Sequence, residues 1–243
     1  MIEIRDLTVR YGKKIAVENL SLKVKDGERV ILMGPNGSGK TTLLRALLGL
    51  VKFEGRIFLN GREVGALSRT EIAREISYVP QIFSTPYAFT VKDFVSMGLY
   101  SHSREWWHED RRVNDAIEMV GITNLTLKEI NTLSGGELQK AIIARALVQD
   151  ASYILMDEPT AHLDIRSVQE VLDIISNLKN KGIIMVSHDL NALNKIGGTV
   201  ILMKNGKLIF RGTKEDSDLK RWISETFETN IREIDDFLYF PLT

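Results

Sequence analysis

An α/β architecture with a mainly parallel sheet follows from three observations. Short apolar runs of strand length alternate with stretches whose apolar residues recur at helical spacing. The eight residues Gly34 to Thr41, GPNGSGKT, fit the pattern G-x-x-x-x-G-K-[S/T] and lie between one such run and one such helix. The alternation is broken once, from Gln81 to about Leu133, where a loop and two helical stretches replace it. The chain is therefore expected to form a catalytic α/β lobe from residues 1–81 and 137–212, a helical insert over about 82–136, and a C-terminal tail over 213–243.

Each element has its own justification. Ile2, Ile4, Leu7 and Val9 alternate with charged neighbours, and Ala16 to Val24 supplies a second extended segment, so the N-terminal region reads as paired strands of an antiparallel β subdomain. The apolar run Val30 to Met33 leads into GPNGSGKT, and the leucines at 43, 44, 47 and 48 give the following helix its face. Arg56 to Leu59 with the Asn60-Gly61 turn is a hairpin, and Ile76 to Val79 is a strand running into Pro80-Gln81. Within the insert, Val91 to Leu99 and Arg111 to Val120 are helical stretches. His102 to His108 with Trp106 and Trp107 reads as surface histidines and tryptophans that pack the lobe or meet a partner. Helix Glu137 to Gln149, strand Tyr153 to Met156, helix Arg166 to Leu178, strand Ile183 to Ser187 and a hairpin through Asn205-Gly206 complete the lobe. Strands alternating with helices imply a parallel sheet covered on both faces. In the tail, Ile231, Ile234, Phe237 and Leu238 fall at helical spacing and are expected to dock on the domain's own surface.

Composition narrows the function classes. The 243 residues suffice for one substantial core without staples, and the absence of cysteine excludes disulfides and thiolate metal sites. Lysine plus arginine and aspartate plus glutamate are 32 each, so no global field draws the chain to nucleic acid or anionic lipid. No run of 18 apolar residues occurs, and the N-terminal MIEIRDLTVR is too charged for a signal peptide core. The expectation is a soluble cytoplasmic protein that meets membranes only through a partner.

The chemistry begins at residues 34–41. Gly34, Gly37 and Gly39 permit backbone conformations that let successive N–H groups converge on phosphate oxygens at a helix N-terminus, with Pro35, Asn36 and Ser38 completing the loop and Thr42 following it. Lys40 brings a cation to the β- and γ-phosphates, and the Thr41 hydroxyl is one ligand of a Mg²⁺ that keeps its other positions for water and phosphate. A P-loop alone is shared by many nucleotide-binding proteins, so the discriminating residues lie further on. Tyr153 to Met156 ends in Asp157-Glu158: Asp157 suits Mg²⁺ coordination through water, and Glu158 suits polarising an attacking water. Upstream, Leu133-Ser134-Gly135-Gly136-Glu137 precedes a strong helical stretch and forms a second anion site. A single-site ATPase needs only one phosphate loop, which suggests that the second serves an ATP held by another subunit.

At this point the sequence resembles the ATP-binding cassette family of ABC transporter ATPases, over nearly the whole chain and with the motifs in the family's order. The adenine-stacking aromatic falls on Tyr11, Walker A on Gly34 to Thr41, the glutamine loop on Gln81 and the signature on LSGGE at 133–137. Walker B falls on YILMDE at 153–158, the D-loop on AHLD at 161–164 and the switch histidine on His188. The resemblance implies the fold of a P-loop NTPase with an antiparallel β subdomain and an inserted helical subdomain. It implies ATP as substrate with Mg²⁺, and a head-to-tail homodimer in which Walker A of one subunit and the signature of the other enclose each ATP. Gln81 then senses Mg²⁺ and water and couples the helical lobe to a transmembrane permease, His188 contacts the γ-phosphate, and Asp164 communicates across the dimer. A substrate-binding protein takes part indirectly, and no nucleic acid partner is expected. Glu137 replaces the commoner glutamine and Lys140 the usual arginine. DEPTAHLDIR at 157–166 and MGLYSHSREWWHED at 97–110 resemble ATPases of importers for iron chelates, haem and cobalamin. An exporter-type cassette or a soluble non-transport cassette keeps every motif, but the single cassette, modest insert and balanced charge favour transport.

Overall fold

The computed structural model describes residues 1–101, 106–230, 232–234 and 237–239. In chain order the strands and helices are β1 (Ile2–Tyr11), β2 (Lys14–Val24), β3 (Arg29–Met33), α1 (Lys40–Leu47), β4 (Glu54–Leu59), β5 (Arg62–Glu63), α2 (Arg69–Glu75) and β6 (Ile76–Val79). The insert follows with α3 (Val91–Ser96) and α4 (Trp106–Met119), and then come α5 (Gly135–Val148), β7 (Tyr153–Asp157), α6 (Ile165–Asn177), β8 (Gly182–Val186) and α7 (Leu190–Ile196). The chain closes with β9 (Thr199–Lys204), β10 (Lys207–Thr213), α8 (Leu219–Phe227), β11 (Arg232–Ile234) and β12 (Phe237–Tyr239).

The central sheet runs β10-β9-β3-β8-β7-β6, parallel throughout except for the antiparallel edge strand β10. Its strands are apolar on both faces because each face feeds a different core. Ile31, Met33, Ile154, Met156, Ile183 and Met185 pack with the helices of the insert side, while Val30, Leu32, Leu155, Ile184 and Val186 pack with the β subdomain and α1. Period-two alternation between two apolar layers is what makes these strands read as continuous hydrophobic runs. The β subdomain is a separate antiparallel sheet, β2-β1-β4-β5.

The segments expected in the catalytic lobe appear, with α2 added to them, and the insert and tail differ from expectation. The first insert helix stops at Ser96 and continues as a 3-10 turn over Met97–Ser101. That turn brings Gly98 so close to the Arg145 carbonyl of α5 that a Cβ would collide with it. The second insert helix starts earlier, at Trp106, although the side chains of the His102–His108 stretch, with Trp106 and Trp107, lie outside the described residues. The helical reading of Ile234 to Leu238 is corrected: β11 and β12 pair antiparallel, with Ile234 opposite Phe237. Spacings of 3, 3 and 1 fit the helical period and not the period of two, and pairing with a neighbouring strand overrides that local pattern. Ile231 lies outside the described residues. The docking of the tail does appear: Leu238 is buried, and its backbone exchanges hydrogen bonds with the Asn194 side chain of α7.

Candidate functional site

The loop between β3 and α1 is built on close approach. A Cβ at Gly39 would strike the Ala16 carbonyl, and its φ of 105° lies where side chains are strained. A Cβ at Gly34 would strike the Met203 carbonyl at the end of β9. The β9–β10 turn closes the loop from behind, with Gly206 donating its N–H to the Ser38 carbonyl (3.1 Å), while the Ser38 N–H reaches the Pro35 carbonyl (3.1 Å). Helix α1 begins at Gly39 with no side-chain cap, so its first N–H groups remain available to an anion. Lys40 is buried to 5% exposure and donates to the Gly34 and Pro35 carbonyls (2.8 and 3.0 Å) and to Ser38 Oγ (3.4 Å). Burial pushes its pKa down, and the charges of Glu158 and Asp157 oppose that shift.

Strand β7 delivers the carboxylates to the same place. The Thr41 hydroxyl donates to Asp157 Oδ1 at 3.1 Å, and the Tyr78 hydroxyl lies 3.4 Å from Asp157 Oδ2. Burial pushes Asp157 up and the Thr41 hydrogen bond opposes it; burial, then the Asp157 charge, pushes Tyr78 up to about 12. Glu158 takes a left-handed φ of 48°, a conformation that costs a non-glycine residue energy. The Gln81 amide donates to Glu158 Oε2 at 3.1 Å. His188 Nε2 stands 2.7 Å from Glu158 Oε1 without the alignment of a hydrogen bond. Burial, then the Lys40 charge, lowers the His188 pKa, against the pull of Glu158.

A cleft of about 270 Å³ runs from Asn36 and Gly37 past Lys40, Thr41 and Thr42 to Gln81 and Glu158, with Asp157 behind Thr41 and His188 behind Glu158. Tyr11, 46% exposed at the end of β1, forms its outer wall with Lys14 and Ala16. The structure therefore gathers Tyr11, the Walker A loop, Asp157, Glu158, Gln81 and His188. Ser134, Gly135, Gly136 and Glu137 do not line this cleft. They open α5, where Ser134 Oγ accepts from the Glu137 N–H and Glu137 Oε2 accepts from the Ser134 N–H (2.8 Å). Gly136 packs so tightly that a Cβ would meet the Ser167 hydroxyl, and Asp164 caps α6 by accepting from the Ser167 N–H (3.0 Å) and Oγ (2.7 Å). The signature and the D-loop thus form one surface.

Oxygen donors from Thr41 and Asp157 suit a hard cation that shares its sphere with phosphate and water. Among the described residues no cluster of three or more histidine, aspartate or glutamate side chains is placed to hold a metal ion. Sequence reasoning missed Lys14, Ala16, Tyr78 and the contact of His188 with Phe227 (ring centroids 6.4 Å apart). Of these, Tyr78 alone had a local signal, since it sits on the strand that delivers Gln81.

The family model "ABC transporter" matches residues 17–161. The chain is similar to the petrobactin import ATP-binding protein YclP of Bacillus subtilis (strain 168), 31% identical over 241 residues, 95% of this chain and 94% of that protein. Its fold is similar to a metal-chelate type ABC transporter solved in an inward-facing conformation, with a TM-score of 0.82 and 25% identity over 100% of this chain and 97% of that one. It is also similar to a dimeric bacterial ABC transporter cassette, with a TM-score of 0.79 and 27% identity over 88% and 98% of the two chains. Among the described residues no helix is long and apolar enough to cross a membrane.

Proposed function

The chain belongs to the ABC transporter family as its ATP-hydrolysing subunit, and from that premise we propose that it powers import of an iron chelate through separate membrane permeases at the cytoplasmic face. The kinship with a petrobactin import protein and a metal-chelate type transporter supports the cargo class. The observation that carries the enzymatic reading is the convergence of Lys40, the Thr41–Asp157 pair and Glu158 on one cleft.

In this reading the uncapped N–H groups of α1 hold the β- and γ-phosphates, and Lys40 turns from its own loop carbonyls to pair with them. Thr41 and Asp157 hold Mg²⁺, with Gln81 beside them, and the ion supplies charge neutralisation on the phosphate oxygens. Glu158 accepts the proton of the attacking water, and His188 hydrogen-bonds the γ-phosphate. Tyr11 stacks on the adenine. Ser134 to Glu137, on a separate surface, meet the nucleotide of a second copy, and Asp164 beside them links the two sites. A substrate-binding protein delivers cargo to the permease, never to this chain.

Replacing the native gene by one encoding Lys40→Ala tests the whole. Uptake of radiolabelled ferric chelate should fall to the level of a deletion, while purified permease still binds its delivery protein. Undiminished uptake would contradict the reading.

A further inference from the structure

The backbone around His188 is tied down, with Ser187 donating to the Leu32 carbonyl (3.2 Å) and Asp189 donating to Ser187 Oγ (3.0 Å). The imidazole is not fixed in the same way, because its Nε2 lies close to Glu158 without hydrogen-bond alignment. A ring with two rotatable bonds needs another constraint to keep that nitrogen beside Glu158. Phe227 is placed to supply it. The Phe227 and His188 rings stand 6.4 Å apart at an interplanar angle of 78°, the edge-to-face arrangement that aromatic quadrupoles favour.

Phe227 is itself held. It is the last residue of α8, whose Leu219 and Ile223 are buried in the core of the insert side of the sheet. Trp222 packs against Phe210 of β10, and Lys204 at the end of β9 donates to the Glu225 carbonyl (3.0 Å) and Glu228 Oε1 (2.9 Å). Glu228, with a left-handed φ of 54°, ends the helix just beyond the aromatic ring. Strand β9 pairs with β3, which feeds the phosphate loop, so one framework carries both the loop and the residue that touches His188.

We propose that Phe227 is a positioning residue for His188, and that the C-terminal helix α8 is thereby part of the hydrolytic apparatus. This rests on the reading of His188 as a γ-phosphate ligand. Loss of the ring should let the imidazole rotate and so lower turnover, with little effect on nucleotide binding to the loop.

The test uses the full chain with Phe227→Ala, Phe227→Leu, Phe227→Tyr, His188→Ala and the Phe227→Ala/His188→Ala double variant. Phe227→Ala should lower kcat by about 5- to 10-fold, the rate equivalent of one aromatic edge contact, and change the KM for ATP less than about twofold. Phe227→Tyr should restore kcat, and Phe227→Ala should cost nothing further once His188 is alanine. With four histidines in the chain, the His188 ring proton is assignable by NMR, and it should shift when the neighbouring ring is removed. If Phe227→Ala fails to fold, Phe227→Leu keeps apolar volume without the ring and carries the same expectations. Unchanged kcat with an unmoved His188 resonance, or fully additive losses in the double variant, would overturn the proposal. Normal turnover in His188→Ala would remove the catalytic reading of His188 instead. The resonance would then decide alone whether Phe227 orients the ring: a shift supports it and no shift overturns it.

Discussion

Helices α1 and α5 both begin at glycine-containing loops, and they treat their free N–H groups in opposite ways. The first four N–H groups of any helix lack partners within it. At α1 the residue before the helix is Gly39, and no side chain caps it. At α5 Ser134 and Glu137 cap each other reciprocally. The surroundings differ in the same sense. The α1 loop is backed by the β9–β10 turn and faced by Lys40, Asp157 and Glu158, whereas the α5 loop lies beside the D-loop, α6 and Lys128, with Ser134 and Gly135 exposed. One loop is equipped to bind an anion within a single chain. The other engages its Ser134 and Glu137 N–H groups in its own cap, and in the proposed dimer it meets a phosphate that a second copy brings.

The sharpest way to separate the two is Ser134→Arg. The substitution leaves the α1 cleft untouched, so ATP affinity of the monomer should stay within about twofold while hydrolysis falls to background, the loss of one of the two walls of the reacting site. Calorimetry and phosphate release read the two quantities, and normal turnover would show that the signature works in its own chain. Lys40→Ala should do the reverse at α1. Removing a charge-assisted contact costs about 1.5–3 kcal/mol, so ATP affinity should drop roughly 10- to 100-fold. Unchanged affinity in a titration would remove the cradle.

The smallest effect concerns the cap itself. Hydrogen bonds from the Ser134 N–H and the Ser134 side chain, then the Lys128 charge, hold Glu137 below its ordinary value of 4.5. A depressed carboxylate contributes stability above its unfolded pKa and loses it as pH falls through the folded value. Wild type should therefore exceed Glu137→Gln in thermal midpoint at pH 7, by a margin that closes as the pH falls below about 4.5. A margin constant down to the acid limit would show that the charge of Glu137 has no part in the cap. No carboxylate caps α1.

What was legible in the sequence follows the same division between local and distant causes. GPNGSGKT was readable because each glycine answers a local demand, a φ or a close approach, that only glycine meets. The central strands were readable because both faces are buried. Helix α2 was missed although Ser68 and Glu71 form a capping box, since its seven residues bury only Ile72 and show almost no periodicity. Helix α8 was missed in a tail where charges outnumber apolar residues. Phe227 was invisible for another reason: its partner His188 is 39 positions away, and no spacing rule joins a ring in the tail to a ring after β8.

The central claim is that two copies close on ATP, with the α1 loop of one facing the α5 loop of the other. Gel filtration of Glu158→Gln with and without ATP tests it most directly. The substitution keeps size and a carbonyl acceptor but removes the charge that takes the proton of the attacking water, so hydrolysis should slow by about 10²- to 10⁴-fold. Lys40, Thr41, Asp157 and the loop amides are unchanged, so binding persists. The variant should elute as a dimer with ATP and as a monomer without it. A monomer in both conditions, with ATP bound and hydrolysis lost, would leave Glu158 catalytic and contradict the closure.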